Sequence, residues 1–96
     1  MPGSSLYEIL PYTKKKASQL GVTIKPSKKA DKKIDVFKQN KLVASIGARG
    51  YQDYPHYLKE KGKAYADNRR DLYRARHKKD IGKKDSNGWY ANNLLW

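Results

Sequence analysis

The sequence contains no cysteine, so it offers neither a disulfide framework nor a cysteine-based zinc site. No stretch approaches the roughly 18 apolar residues that a membrane-spanning helix needs, and the first residues lack the charged segment and apolar run of a signal peptide. These absences exclude a zinc finger. They predict a protein of a reducing compartment that is neither secreted nor inserted into a membrane.

Acidic residues are also scarce. Lys and Arg number 22 among the 96 residues, whereas Asp and Glu number nine, which gives a formal net charge of +13. Like charge of this size opposes compaction unless a negatively charged partner neutralises it. The length suits one domain with a thin core. Together these features predict a small basic protein that binds a polyanion.

Residues 1–33 are predicted to form a basic arm with a short helix. Ser4 or Ser5 is suited to cap a first helix that Pro11 interrupts, and residues 13–20 form a second helical piece that ends at Gly21. Residues 25–33 combine a proline with many lysines, which is typical of a solvated linker or of a loop that orders on a partner.

Residues 34–96 are predicted to form a compact α+β domain that begins with a β-hairpin. Residues 34–38 and 42–46 have the β-branched composition of two short strands, and Asn40 tolerates the left-handed backbone of the turn between them. Ile34 and Val36 should then lie on one face of the hairpin, with Phe37 on the other.

A long helix is predicted to follow, from about residue 54 to residue 78. Asp53 and Pro55 have the chemistry of its N-cap and first turn. Gly62 predicts a kink, or a division of the helix into two. The apolar stripe that should pack on the hairpin consists of Tyr54, Leu58, Tyr65, Ala66, Leu72 and Tyr73.

The C-terminal segment is predicted to be anchored to the helix and hairpin. Asn87 and Gly88 are the sharpest turn signal in the sequence. Both tryptophans, Trp89 and Trp96, lie within the next eight residues together with two leucines. This aromatic segment should pack against the core, with a helical turn at residues 91–93.

Cations recur along the predicted helix at spacings near three, four and seven, on the face away from the stripe. They are Lys59, Lys63, Arg70, Arg74 and Lys78. A solvated face is the usual interpretation of such a run. Between His56 and Lys84, however, 11 cations face only four acids, which favours a polyanion footprint. This hypothesis requires one continuous ridge, since scattered cations argue against a nucleic-acid track.

Arginines in this set are expected to position phosphates through their guanidinium forks, while lysines attract them as point charges. Arg69 and Arg76 lie nearer the stripe, so pairing with Asp67, Asp53 or the C-terminal carboxylate is an equal alternative for them. The predicted nucleic-acid contacts are Lys14, Lys15, Lys16, Arg49, Lys59, Lys63, Arg69, Arg70, Arg74, Arg76 and Lys78.

Tyrosines interleave with these charges, and Tyr51 and Tyr57 are the better candidates for stacking on unpaired bases. The helical spacing of Tyr54, Tyr65 and Tyr73 favours packing instead. His56 and His77 are interpreted as surface groups or helix caps, because no metal-binding arrangement surrounds them.

Catalytic motifs are missing from the sequence. It has no nucleophile elbow, no phosphate-cradling glycine loop and no metal-binding His pair, and its carboxylates do not cluster as a magnesium-dependent nuclease requires. We therefore expect no enzyme, no cofactor, no metal and no small-molecule substrate.

Several motifs in residues 34–96 resemble an uncharacterised family of small basic proteins encoded by nucleocytoplasmic large DNA viruses and by some large phages. They are IGARGYQDYP at 46–55, GKAYA at 62–66, RRDLYRARH at 69–77, GWYA at 88–91 and LLW at 94–96. The resemblance implies a viral origin and a place in the virion or the host-cell interior. It implies no reaction, and no functional residue transfers from it.

Two functions follow as expectations. The first is nucleic-acid binding without sequence specificity in virion DNA packaging, with DNA favoured over RNA. The alternative is a minor capsid or cement protein whose basic faces bind acidic surfaces of shell subunits.

Overall fold

An antiparallel sheet and helices from both halves of the chain build the fold. The computed structural model describes residues 7–96, which contain five helices and one three-stranded sheet with the order β1-β2-β3. This arrangement confirms the predicted α+β class. The elements are α1 Pro11–Leu20, β1 Thr23–Pro26, β2 Lys32–Lys38, β3 Lys41–Ala48, α2 Tyr54–Lys61, α3 Lys63–Arg76, α4 Lys78–Ile81 and α5 Asn87–Leu95.

Pro11 begins α1 rather than interrupting an earlier helix, and residues 7–10 are not helical. Proline suits the first helical position because the N–H that it lacks would have no partner there. The prediction of a helix through residue 10 is therefore wrong, while the proposed caps Ser4 and Ser5 lie outside the described residues. The predicted end of the second piece is confirmed, since Gly21 adopts a left-handed φ of 74°.

Part of the predicted linker is a strand. β1 pairs antiparallel with β2, with Ile24 opposite Val36 and Pro26 opposite Ile34. Proline is tolerated because β1 lies at the edge of the sheet. The solvated-linker interpretation of residues 25–33 is thus wrong for its two ends, and the predicted boundary between residues 33 and 34 falls inside β2.

The basic arm also contributes to the core. Ala17 of α1 is buried in the main hydrophobic cluster, and the buried Thr13 hydroxyl donates a hydrogen bond to the Leu94 carbonyl, 2.8 Å away. Residues 11–33 therefore belong to the same packed unit as the residues that follow them.

The β-hairpin is confirmed. Gln39 and Asn40, which connect β2 to β3, have φ values of 53° and 66°, as a tight hairpin turn between twisted strands requires. Ile34 and Val36 are fully buried, whereas Phe37, after a bulge, is partly exposed.

Gly62 divides the predicted long helix into α2 and α3. Its φ of 91° and ψ of 170° lie in a region open essentially to glycine alone. The two helices pack on each other, because the Tyr54 hydroxyl donates to Asp67 Oδ1 at 2.7 Å and the Tyr57 and Tyr65 rings lie 5.4 Å apart. His77 ends α3 before the short α4. The prediction of one continuous helix from residue 54 to residue 78 is thus wrong, and the predicted division at Gly62 is confirmed.

The prediction of one apolar stripe along this segment is wrong. Tyr54 and Ala66 are buried, but Leu58, Tyr65 and Leu72 are 36%, 45% and 45% exposed. The break at Gly62 resets the helical phase, so residues before and after it no longer share one face.

The C-terminal anchor is confirmed and is longer than predicted. α5 buries Tyr90, Leu94 and Leu95 against the sheet and α1, and Trp96 follows them into the core. The prediction of a turn at Asn87-Gly88 is wrong, because both residues lie in the first turn of α5. Ser86 caps this helix by accepting a hydrogen bond from the Trp89 N–H.

None of the helices within residues 7–96 has the length and apolar character that crossing a membrane demands.

Candidate functional site

A buried carboxylate organises the polar interior beside the end of β3. Asp53, the N-cap of α2, is 1% exposed. Its Oδ2 accepts hydrogen bonds from Lys33 Nζ at 2.9 Å and from the Tyr7 hydroxyl at 2.6 Å. Its Oδ1 lies 2.7 Å from His56 Nδ1. One carboxylate thus ties β2, α2 and the segment before α1 together.

The environment of Asp53 keeps it ionised. Burial alone would raise the pKa of this carboxyl, but the Lys33 ammonium, with hydrogen bonds from Tyr7, Lys33 and His56, holds the pKa below its ordinary value. Burial and the adjacent Asp53 charge raise the pKa of Tyr7 far above its ordinary value. Tyr7 therefore remains a neutral hydrogen-bond donor.

A second buried carboxylate, Asp35, lies in the middle of the sheet. It accepts hydrogen bonds from the hydroxyls of Ser27 at 2.7 Å and Ser45 at 2.8 Å. Burial opposes its ionisation, but these two hydrogen bonds and nearby backbone and lysine groups lower its pKa. Asp35 and Asp53 are both engaged inside the fold.

The surface is consequently more basic than the whole chain. Lys33 is the one buried cation, so 21 of the 22 Lys and Arg side chains are accessible, and with Asp35 and Asp53 buried only seven acids remain there. The accessible excess is thus +14. The accessible cations belong to all three strands, to α1–α4 and to the connecting loops.

The predicted cationic ridge is not continuous. Lys63, Arg70 and Arg74 share one face of α3, but Lys59 lies on α2, 3.9 Å from Glu8, and Lys78 lies on α4. Asp67 interrupts the row. It accepts hydrogen bonds from Lys63 at 2.6 Å and from Arg70 at 3.3 Å.

Other members of the predicted set are dispersed. Arg74 Nε donates to Asn92 Oδ1 at 2.9 Å, which joins α3 to α5. Lys14 and Lys15 are exposed on α1, and Lys16 Nζ lies 5.0 Å from the ring centroid of Tyr12.

The opposite face of α3 borders a cavity of about 380 Å³. The end of β3, the loop after it, α2, α3 and the C-terminal residues form its walls. We call it the aromatic pocket and define it by six residues: Tyr51, Tyr57, Arg69, Tyr73, Arg76 and Trp96. Lys33 and His77 also contribute to its lining, and the lining contains no acidic side chain.

Stacked rings build one wall of the aromatic pocket. The Tyr73 ring is nearly parallel to Trp96, at a centroid distance of 4.3 Å, and also stacks on His77 at 4.3 Å. Tyr57 lies 6.2 Å from Trp96 in a tilted arrangement. Tyr51, at the rim, is 76% exposed. The two tyrosines predicted to stack on bases, Tyr51 and Tyr57, are thus brought to the same pocket.

Arg69 and Arg76 take part in no ion pair of residues 7–96. The alternative of pairing with Asp67 or Asp53 is therefore not observed, because Lys63, Arg70 and Lys33 engage those carboxylates. Arg69 instead lies with its guanidinium carbon 5.7 Å from the Tyr57 ring centroid, and its buried Nε has no hydrogen-bond partner among the described residues.

Arg49 lies beside a second cavity of about 300 Å³, which shares Lys33, Tyr51 and Gln52 with the aromatic pocket. His56 also borders this second cavity. Of the predicted nucleic-acid residues, Arg69 and Arg76 thus line the pocket that contains both predicted stacking tyrosines, and Arg49 borders the cavity that contains Tyr51. The α1 lysines and the Lys63 face of α3 line neither cavity.

Sequence reasoning missed the contacts of His56 and Lys33 with Asp53, whereas the interpretation of His77 as a helix cap is confirmed, since it lies between α3 and α4. Asp53 three residues before His56 is a local signal for their contact, since an N-cap side chain reaches the third residue after it. The contact between Lys33 and Asp53 spans 20 residues and has no local signal.

Within residues 7–96, no group of three or more His, Asp or Glu side chains is arranged to hold a metal ion. Comparison of the chain with protein-family models, curated proteins and solved structures gave no match. The resemblance to viral proteins therefore stays a prediction.

Proposed function

We propose that the protein binds nucleic acid without sequence specificity, as expected of a DNA-packaging protein of a virus particle. The charge distribution carries this proposal: 21 accessible cations face seven accessible acids, because the fold buries two carboxylates but only one lysine. Such a surface favours association with a phosphate backbone through release of condensed counterions.

Sequence indifference follows from the placement of the cations. They lie on several elements, and the row on α3, the longest helix of residues 7–96, is limited to Lys63, Arg70 and Arg74 with Asp67 among them, so it offers few side chains to base edges. Backbone phosphates are the groups that such a dispersed surface reaches.

Fluorescence anisotropy of labelled duplexes tests the proposal. Two duplexes of equal length and unrelated sequence should bind with equal affinity at each salt concentration between about 50 and 300 mM. If the protein neutralises about six phosphates, the log–log salt slope should be near −5. The absence of micromolar binding even at the lowest salt concentration would falsify the proposal.

The dispersal of the cations counts against the nucleic-acid track that one continuous ridge would have formed, so the proposal depends on the charge excess alone. The same dispersal favours a second candidate, a minor capsid or cement protein that contacts several acidic shell subunits at once. Cross-linking in purified particles separates the two functions. Cross-links to shell proteins alone would favour this candidate, and cross-links to the genome would favour nucleic-acid binding.

A further inference from the structure

We infer that the aromatic pocket receives one unpaired nucleotide of a bound strand, with its base against Tyr51 and its phosphate between Arg69 and Arg76. The inference rests on the proposed nucleic-acid binding. It adds a preference for single strands over duplexes.

Tyr51 supplies a stacking surface that the fold itself does not use. Its ring is 76% exposed at the rim and makes no ring contact within residues 7–96, whereas Tyr57, Tyr73 and Trp96 are already packed on one another. The packed rings form a rigid wall, and the exposed ring can close over a base. Stacking on tyrosine is tolerant of sequence because every base has a π-face.

Arg69 and Arg76 supply the anion site. They lie seven residues apart on α3, which places both on one side of the helix two turns apart, with Tyr73 between them. Neither is engaged by a carboxylate of the described residues, so both guanidinium forks remain available for phosphate oxygens.

The charge and the volume of the aromatic pocket suit a nucleotide. No side chain that lines the pocket is acidic, whereas Arg69 and Arg76 are cationic and favour a phosphate. The volume of about 380 Å³ lies within the range of about 300–1,000 Å³ that is typical of small-molecule sites.

The preference for single strands follows from access. In a duplex the bases are paired and stacked inside the helix, and a base must leave the stack to enter a pocket. An unpaired strand presents its bases without that cost, whereas a duplex reaches the exposed lysines through its phosphates alone.

A fluorescence titration reports occupancy of the pocket directly. The variant Trp89→Phe leaves Trp96, a pocket residue, as the single tryptophan. Oligothymidine of about 12 nucleotides should quench Trp96 as it binds, because a base enters beside the ring stack. A blunt duplex of two complementary strands, with the same total number of phosphates, should bind by anisotropy without that quenching.

Variants assign the contacts. Tyr51→Ala should weaken oligothymidine binding roughly tenfold and leave binding of the blunt duplex nearly unchanged, while Tyr51→Trp should retain the affinity. Arg76→Gln should weaken oligothymidine binding more than Lys79→Gln, which removes the same charge from an exposed residue outside the pocket. Circular dichroism confirms that each variant is folded.

The outcomes separate the inference from the proposed function. Absence of binding to either DNA overturns both. Equal binding to both, with no effect of Tyr51→Ala, leaves the proposed function standing and overturns the inference. Thymidine monophosphate that binds as tightly as the oligonucleotide assigns the pocket to free nucleotides and overturns the single-strand preference.

Discussion

The two sides of α3 place adjacent arginines in different surroundings. Arg70 lies 4.2 Å above the Tyr54 ring and donates to Asp67 Oδ1 at 3.3 Å, so it is part of the packing between α2 and α3. Arg69, one residue earlier, faces the aromatic pocket and has no carboxylate partner among residues 7–96.

Helical spacing explains the difference. Asp67 lies three residues before Arg70 and four residues after Lys63, and side chains at these spacings meet on a helix surface. It lies only two residues before Arg69, a spacing that points the two side chains in different directions. One acid therefore engages two cations on one side of α3 and leaves the arginines of the other side available for an anion.

The ion pair beside the pocket, Lys33–Asp53, is buried, whereas the pair on the other side of α3, Lys63–Asp67, is exposed. This difference gives the largest expected change in stability. Asp53→Asn leaves the Lys33 ammonium buried beside a neutral amide, so the free energy of unfolding should fall by about 3–5 kcal/mol. The same change at Asp67 should have a much smaller effect, because its partner Lys63 is 76% exposed. Urea unfolding at pH 7 measures both.

A matched experiment tests whether the Asp53 effect arises from the buried charge. The double variant Lys33→Met, Asp53→Asn removes both charges and should recover part of the lost stability. Equal losses for Asp53→Asn and Asp67→Asn would contradict the contrast between a buried and an exposed pair.

The next largest change in stability is expected at Gly47, which lines the aromatic pocket. A Cβ at Gly47 would lie 2.8 Å from Leu95 Cδ1 and 2.9 Å from Lys33 Cδ, and φ is 81°. Gly47→Ala should therefore lower the free energy of unfolding by about 2 kcal/mol through overpacking and backbone strain. Gly50→Ala is the control, because φ is 94° there but nothing lies within 4 Å of the added Cβ. The larger loss should occur at Gly47.

Lowering the pH should reduce the free energy of unfolding, and the variant Asp53→Asn measures how much of that loss comes from Asp53. The pKa of Asp53 is lower in the folded protein than its ordinary value, so its ionised form stabilises the fold above the unfolded pKa of about 3.9. That contribution is lost as the pH falls through the lower folded value. Wild-type stability should therefore drop below about pH 4, and Asp53→Asn should drop less. Parallel curves in urea unfolding would contradict this.

Local signals in the sequence were enough to predict several elements. Gly21 ends α1, Gln39 and Asn40 make the hairpin turn, and Asp53 caps α2, because each depends on residues no more than a few positions apart. The anchored C-terminus was predictable from its concentration of aromatic and leucine residues.

The remaining features depend on the rotational phase of helices on either side of a break and on contacts between residues that are far apart in the sequence. The exposure of Tyr65 and Leu72 on α3, while Tyr54 on α2 is buried, follows from the backbone at Gly62, which periodicity alone treats as a kink in one helix. β1 was hidden because Lys25 and Pro26 look like a linker, although an edge strand accepts both. The aromatic pocket joins residues of β2, β3, α2, α3 and the C-terminal segment that are far apart in the sequence, so no local pattern predicts it.

The smallest effects distinguish the two arginines themselves. Arg70→Gln should lower the free energy of unfolding by about 0.5–1 kcal/mol, because it removes the cation–π contact with Tyr54. Its effect on single-strand binding should match that of Lys79→Gln, a loss of general charge. Arg69→Gln should do the reverse. It should weaken oligothymidine binding by several-fold and lower stability less than Arg70→Gln, because its guanidinium is farther from its ring, at 5.7 Å rather than 4.2 Å, and no ion pair is lost. Urea unfolding and anisotropy on the same samples measure both properties. If the two variants behave alike in both assays, the sides of α3 are not functionally different, and the available arginines of the aromatic pocket have no special role.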